Sequence, residues 1–72
     1  MQTSEGTPPH LTPREIQCLN GLADGLTNEG IARLLNISIP TVAMHLTNAR
    51  KKLQAHTREQ AIAVAMRRGL LK

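Results

Sequence analysis

The residues with the most chemical potential in this chain lie close together. Met44, Thr47, Asn48, Arg50, Lys51 and Lys52 put a thioether, a hydroxyl, an amide and a run of cations into one short stretch, and no acidic residue falls between Ser38 and Leu53. Hydroxyls and amides hydrogen-bond to base edges, while Lys and Arg neutralise phosphates, so this combination suits a polyanion's groove. Catalysis has no comparable support. The sequence contains no paired carboxylates, no nucleophile beside a histidine and no phosphate-cradling loop. His10, His45 and His56 fall in a linker, a helix and a turn, and no Cys/His pair has zinc-finger spacing, so neither a metal nor any other cofactor is expected. Cys18 has no partner cysteine and reads as a small buried hydrophobe in a reducing compartment.

A helix must present that stretch. Ser38 is a candidate N-cap and Pro40 sits in the first turn, so the pattern predicts a helix over 39–53. At 100° per residue, Leu46, Ala49 and Leu53 all lie within about 40° of Val42 and form a core stripe. Pro40, Met44, Thr47 and Lys51 then point away from the core, flanked by Ala43 and Arg50 on one side and Asn48 and Lys52 on the other. His45, about 60° from Val42, lies at the boundary.

Three further helices build the platform. Thr12, Pro13 and Glu15 make a capped start with a capping box, and Gly25 offers a left-handed exit, which predicts a helix from Pro13 to Asp24 with Ile16, Leu19, Leu22 and Ala23 inward. Thr27 opens a short second helix that stops at Asn36, with Ile31, Ala32, Leu34 and Leu35 as its apolar side and Gly30 weakening its first turn. Ile37 plugs the tight turn that follows, so helices 2 and 3 form a helix-turn-helix unit. Thr57 and Gln60 predict a second capping box and a fourth helix ending at Gly69, with Ile62, Ala65 and Met66 closing the core and Leu70 and Leu71 folding back as a lid. Ala61, Val64 and Arg68 make a second, shallower face. Arg67, Arg68 and Lys72 also suit the negative end of that helix's dipole. The expectation is an all-α, four-helix domain over 11–72, preceded by a flexible linker at 1–10 that suggests a C-terminal piece of a longer protein.

Composition narrows the partner. The chain has 72 residues, enough for one small core, and contains no aromatic residue, which rules out base stacking of the kind used by single-strand RNA binders. Nine Lys plus Arg against five Asp plus Glu give a formal charge of +4. The isoelectric point is near 10.3. Such a balance favours an acidic partner, whether nucleic acid, anionic membrane or acidic protein. No apolar run is long enough to span a membrane, and the cations are spread over a multi-helix pattern without Trp or Phe anchors, which disfavours a membrane-surface role.

The segments LTPREIQCLNGLADGLTNEGIARLLNIS, TVAMHLTNARKKL and TREQAIAVAMRRGLL resemble the LuxR-type (GerE-like) helix-turn-helix domain, from Leu11 to Leu71. The most specific pieces are LTPRE at 11–15, Ile31-Ala32, Thr41-Val42, His45-Leu46, Asn48, Lys52-Leu53 and the spaced alanines from Ala61 that lead to GLL. The resemblance implies a bacterial transcription regulator, cytoplasmic at the nucleoid, whose double-stranded DNA is read by helices 2 and 3 and whose dimer forms through helix 4. Such domains normally follow a receiver, a lactone-binding domain or another sensor, and RNA polymerase is a further partner the resemblance admits. The TREQA and GLL ending, with Asn48-Ala49, looks closer to quorum-sensing members than to receiver-linked ones.

Carried onto this chain, the resemblance implies base contacts from Ala43, Met44, Thr47 and Asn48. It assigns phosphate contacts to Thr27, Asn28, Thr41, His45, Arg50, Lys51, Lys52 and Arg58, and a homodimer interface to Ala61, Val64, Ala65 and Arg68. Two inverted half-sites would lie about one helical turn apart. The chain departs from the family pattern at Gly30, commonly Glu, and at Ala43, commonly Lys. Ala43 cannot reach a phosphate but can touch a thymine methyl, so methyl contacts and DNA shape carry more of the reading here. The alternative is a protein-interaction module that binds an acidic partner or antagonises another regulator.

Overall fold

The computed structural model describes residues 10–71. The proposed linker, apart from His10, and the dipole role of Lys72 lie outside the described residues. Four helices follow in order: α1 (Pro13–Ala23), α2 (Asn28–Leu35), α3 (Ile39–Lys52) and α4 (Arg58–Arg67). Each starts where a hydroxyl can accept a free backbone N–H of the first turn. Thr12, Thr27, Ser38 and Thr57 accept from Glu15, Gly30, Thr41 and Gln60 respectively. In α1 the capping box is complete, with the Thr12 amide donating to Glu15 Oε1 at 2.9 Å. In α4 it is displaced by one residue, because Gln60 Oε1 accepts from the His56 amide instead of that of Thr57. Asn36 closes α2 in the left-handed region (φ 59°), where its short amide side chain is tolerated, and the chain turns directly into α3.

The core contains no aromatic side chain. Leu19, Ile31, Val42 and Cys18 are its largest fully buried side chains, and α3 contributes the whole expected stripe of Val42, Leu46, Ala49 and Leu53. This stripe makes α3 central, since it packs against α1, α2 and α4 in turn. Gly21 lets the first two helices pack closely. A Cβ there would stand 2.7 Å from Ile31 Cγ1, inside contact distance for a side chain that is itself fully buried. Ile37, Leu70 and Leu71 pack half-buried against the cluster, the last two after Gly69 turns the chain at φ +70°.

Three helical faces differ from the periodic reading. On α1 the buried residues are Glu15, Cys18, Leu19 and Gly21, while Ile16 and Leu22 are half-buried and Ala23 is exposed. A carboxylate thus occupies an interior position, for a reason that lies in α3. On α2, Leu34 is 68% exposed, because Ile31 and Ala32 fill the approach to α3 and a helix of two turns buries little else. On α4 the inward face is Ala61, Val64 and Ala65, while Met66 is 58% exposed. Small residues let α4 approach α1 and α3 closely, and the larger Ile62 and Met66 turn to the edge and to solvent. Ala61, Val64 and Ala65 are buried within the monomer, whereas Arg68 is exposed.

Candidate nucleic-acid interface

The outer face of α3 is what the core stripe leaves free. Ala43, Met44, Thr47, Asn48 and Lys51 are exposed together, with Ile39 and Pro40 at the N-terminal end. Met44 is 51% exposed, so it is not held by the core. Thr41 and His45 lie half-buried on the flank, and the Thr41 hydroxyl shares a 2.7 Å hydrogen bond with that of Ser38. Among these exposed positions of α3 no carboxylate occurs.

The cations around this face divide by partner. Lys51 is exposed on the outer face, and its ammonium has no partner among the described residues. Arg50 Nη1 donates to the Ala55 carbonyl at 3.0 Å, bracing the turn that follows α3, where Gln54 takes a positive φ of 56°. Arg58 Nη2 donates to Asn28 Oδ1 at 2.9 Å and so ties the N-terminus of α4 to that of α2. Two of the capped helix starts proposed as phosphate contacts are thereby brought side by side. The positive ends of the two helix dipoles and the flanking guanidinium are suited to anions.

Lys52 takes a different part. Its ammonium is 2.9 Å from Glu15 Oε1 and 3.2 Å from the His10 carbonyl, so it faces α1 and the entering chain. Its charge is engaged by a carboxylate that is 3% exposed. Burial alone would raise the Glu15 pKa, but the Thr12 amide and hydroxyl and the Lys52 ammonium outweigh it and hold the carboxyl below its ordinary value. Burial pushes the Cys18 thiol up. Sequence reasoning placed Glu15 correctly as a cap but missed its second role. The only trace of it was an acid three residues before a cysteine that was itself expected to be buried.

Between α3 and the start of α4 the surface is notched by a cavity of ≈ 100 Å³, lined by Ala43, Leu46, Thr47, Arg50 and Arg58. Elsewhere the described residues show no cluster of His, Cys, Asp and Glu able to hold a metal ion. Among them no helix is long and apolar enough to cross a membrane.

A short helix, a left-handed turn at Asn36 and a longer helix with a basic, acid-free outer face define a helix-turn-helix domain. The chain belongs to the LuxR family of bacterial regulatory proteins, whose GerE model matches residues 9–65. It is 43% identical over 61 residues to the quorum-sensing-dependent transcriptional regulator VjbR of Brucella ovis, covering 85% of this chain and 24% of that protein. It is 41% identical over 61 residues to the transcriptional regulatory protein FixJ of Bradyrhizobium diazoefficiens, covering 85% of this chain and 30% of that one. The chain therefore spans about a quarter to a third of the length of these relatives. The structure of the transcription factor GerE superposes with a TM-score of 0.83 at 35% identity, covering 86% of this chain and 92% of that one. A structure of the VqmA dimer of Vibrio cholerae, described as a LuxR-type receptor, superposes with a TM-score of 0.82 at 35% identity, covering 96% of this chain and 31% of that one. The four-helix, strand-free fold is thus the GerE-like one, and the chain is a LuxR-type transcription-regulator domain, not an enzyme. The response regulator NarP of Escherichia coli is 47% identical over 51 residues, covering 71% of this chain and 24% of that protein.

Proposed function

We propose that this domain binds double-stranded DNA by laying α3 in the major groove, as the output part of a bacterial transcription regulator acting at the nucleoid in the cytoplasm. Ala43, Met44, Thr47 and Asn48 face base edges, and the observation that carries this is their joint exposure on a helix whose opposite stripe is wholly core. Arg50, Lys51 and Arg58, with Thr27, Asn28, Thr41 and His45, face the phosphates and fix the register. Two copies bind inverted half-sites about one helical turn apart. Since Ala61, Val64 and Ala65 are buried in the monomer, the copies meet through exposed residues of α4 and its C-cap, among them Met66, Arg68 and the edge of Ile62. Transcriptional control makes RNA polymerase the further partner of this reading.

Selection of duplexes from a random pool tests it directly. The expected product is a palindromic site with half-sites one turn apart, bound with an affinity that falls steeply as salt rises. A nearly flat dependence of log affinity on log salt, or the recovery of no preferred sequence, would refute groove reading.

A further inference from the structure

The notch beside α3 joins an apolar part, Ala43 and Leu46, to the Thr47 hydroxyl and the guanidiniums of Arg50 and Arg58. Ala43 contributes a methyl group and Leu46, 6% exposed, contributes the edge of a core side chain. Its walls are held in place from outside the cavity: Arg50 by the Ala55 carbonyl at 3.0 Å and Arg58 by the Asn28 amide oxygen at 2.9 Å. With the guanidiniums engaged in this way, a recess of ≈ 100 Å³ lies beside the outer face of α3. A long side chain at position 43 would fill it, and alanine leaves it open.

The major groove offers one apolar group to such a recess. Base edges there present acceptors and donors at every pair except for the C5-methyl of thymine. A base-edge acceptor set against Ala43 and Leu46 meets no donor from those two side chains, whereas a methyl group there gains by leaving water. The cationic rim complements the phosphates on either side of the base that is read. The geometry points to a receptor for the C5-methyl of a pyrimidine, in which Ala43 and Leu46 lie beneath the methyl and Thr47 stands beside it. Ala43 is then a specificity-determining residue by virtue of its size. Cytosine methylated at C5 carries the same group at the same place, so the notch accepts it where it rejects cytosine. This inference rests on the DNA-reading function proposed above.

The test uses the 72-residue chain and the duplex recovered by selection. Each thymine of a half-site is replaced in turn by deoxyuridine, which removes the methyl and leaves pairing unchanged. One position per half-site is expected to lose about four-fold in affinity, the weight of one buried methyl group. At that position 5-methylcytosine is expected to bind better than cytosine by a similar factor. Ala43→Leu, verified as folded by its thermal melt, is expected to bind thymine and uracil equally there. The inference is overturned if uracil matches thymine at every position, if Ala43→Leu keeps the discrimination, or if guanine contacts alone govern the preference. Failure to recover any bound duplex would instead refute the DNA-reading function on which it depends.

Discussion

Adjacent lysines at the end of α3 are expected to separate cleanly under substitution. Lys52→Met keeps the aliphatic stem and the helix propensity while removing the ammonium that lies 2.9 Å from Glu15. Loss of one partner costs about 3–5 kcal/mol when both charges of a pair are buried, and about 1 kcal/mol or less when both are exposed. This pair is mixed, with 4% of the Glu15 side chain and 29% of that of Lys52 exposed. Glu15 also keeps the Thr12 amide as a donor, which places the expected loss at about 2 kcal/mol. In a domain of this size that lowers Tm by about 8–16 °C. Lys51→Met removes a charge that has no partner among the described residues, and its Tm is expected to stay within a few degrees. DNA binding should show the reverse order. The slope of log affinity against log salt flattens by about 0.9 for each phosphate that is no longer neutralised, an effect expected for Lys51→Met and absent for Lys52→Met. Circular-dichroism melts and salt titrations on one selected duplex measure both quantities. Flattening of the salt slope by Lys52→Met without a loss of Tm would refute the assignment of its charge to Glu15.

Acid titration addresses the other partner. Because the folded Glu15 carboxyl titrates below its ordinary value, its contribution to stability is complete above the unfolded-state pKa and disappears as pH falls through the lowered folded one. Glu15→Gln is therefore expected to melt below the parent at pH 7 and to approach it as pH falls through the lowered carboxyl pKa, and a constant gap between the two melting curves would contradict this. Gly21→Ala sets a helix-propensity gain of about 1 kcal/mol against overpacking that costs about 1–3 kcal/mol. With Ile31 Cγ1 only 2.7 Å from the new Cβ and Ile31 fully buried, the net effect is expected to be destabilising, and an unchanged or higher Tm would show that α1 and α2 can separate freely.

Much of this domain is legible because its information is local. A hydroxyl at Thr12, Thr27, Ser38 or Thr57 caps a helix through an amide three residues on, and the α3 stripe of Val42, Leu46, Ala49 and Leu53 follows from a 3.6-residue period. Those features require no knowledge of where any other helix lies, and they place the outward face of Met44 and Thr47 without further help. Helix α4 shows where such reasoning runs out. Ala61, Val64 and Ala65 compete with Ile62, Ala65 and Met66 as apolar stripes, and helical spacing cannot rank them. The distance of approach to α1 and α3 decides for the smaller set.

The partners of the cations were likewise settled by the crossing of helices. Lys52 meets Glu15 from 37 residues away, and Arg58 meets Asn28 from 30. By itself the sequence determined four capped helices and the face of α3 that looks outward, because hydrogen bonds within a turn and helical periodicity act over a few residues. Only the tertiary structure decided which stripe of α4 is buried, which lysine is committed to α1, and that Ala43 opens onto a recess, because each depends on side chains brought together from distant parts of the chain.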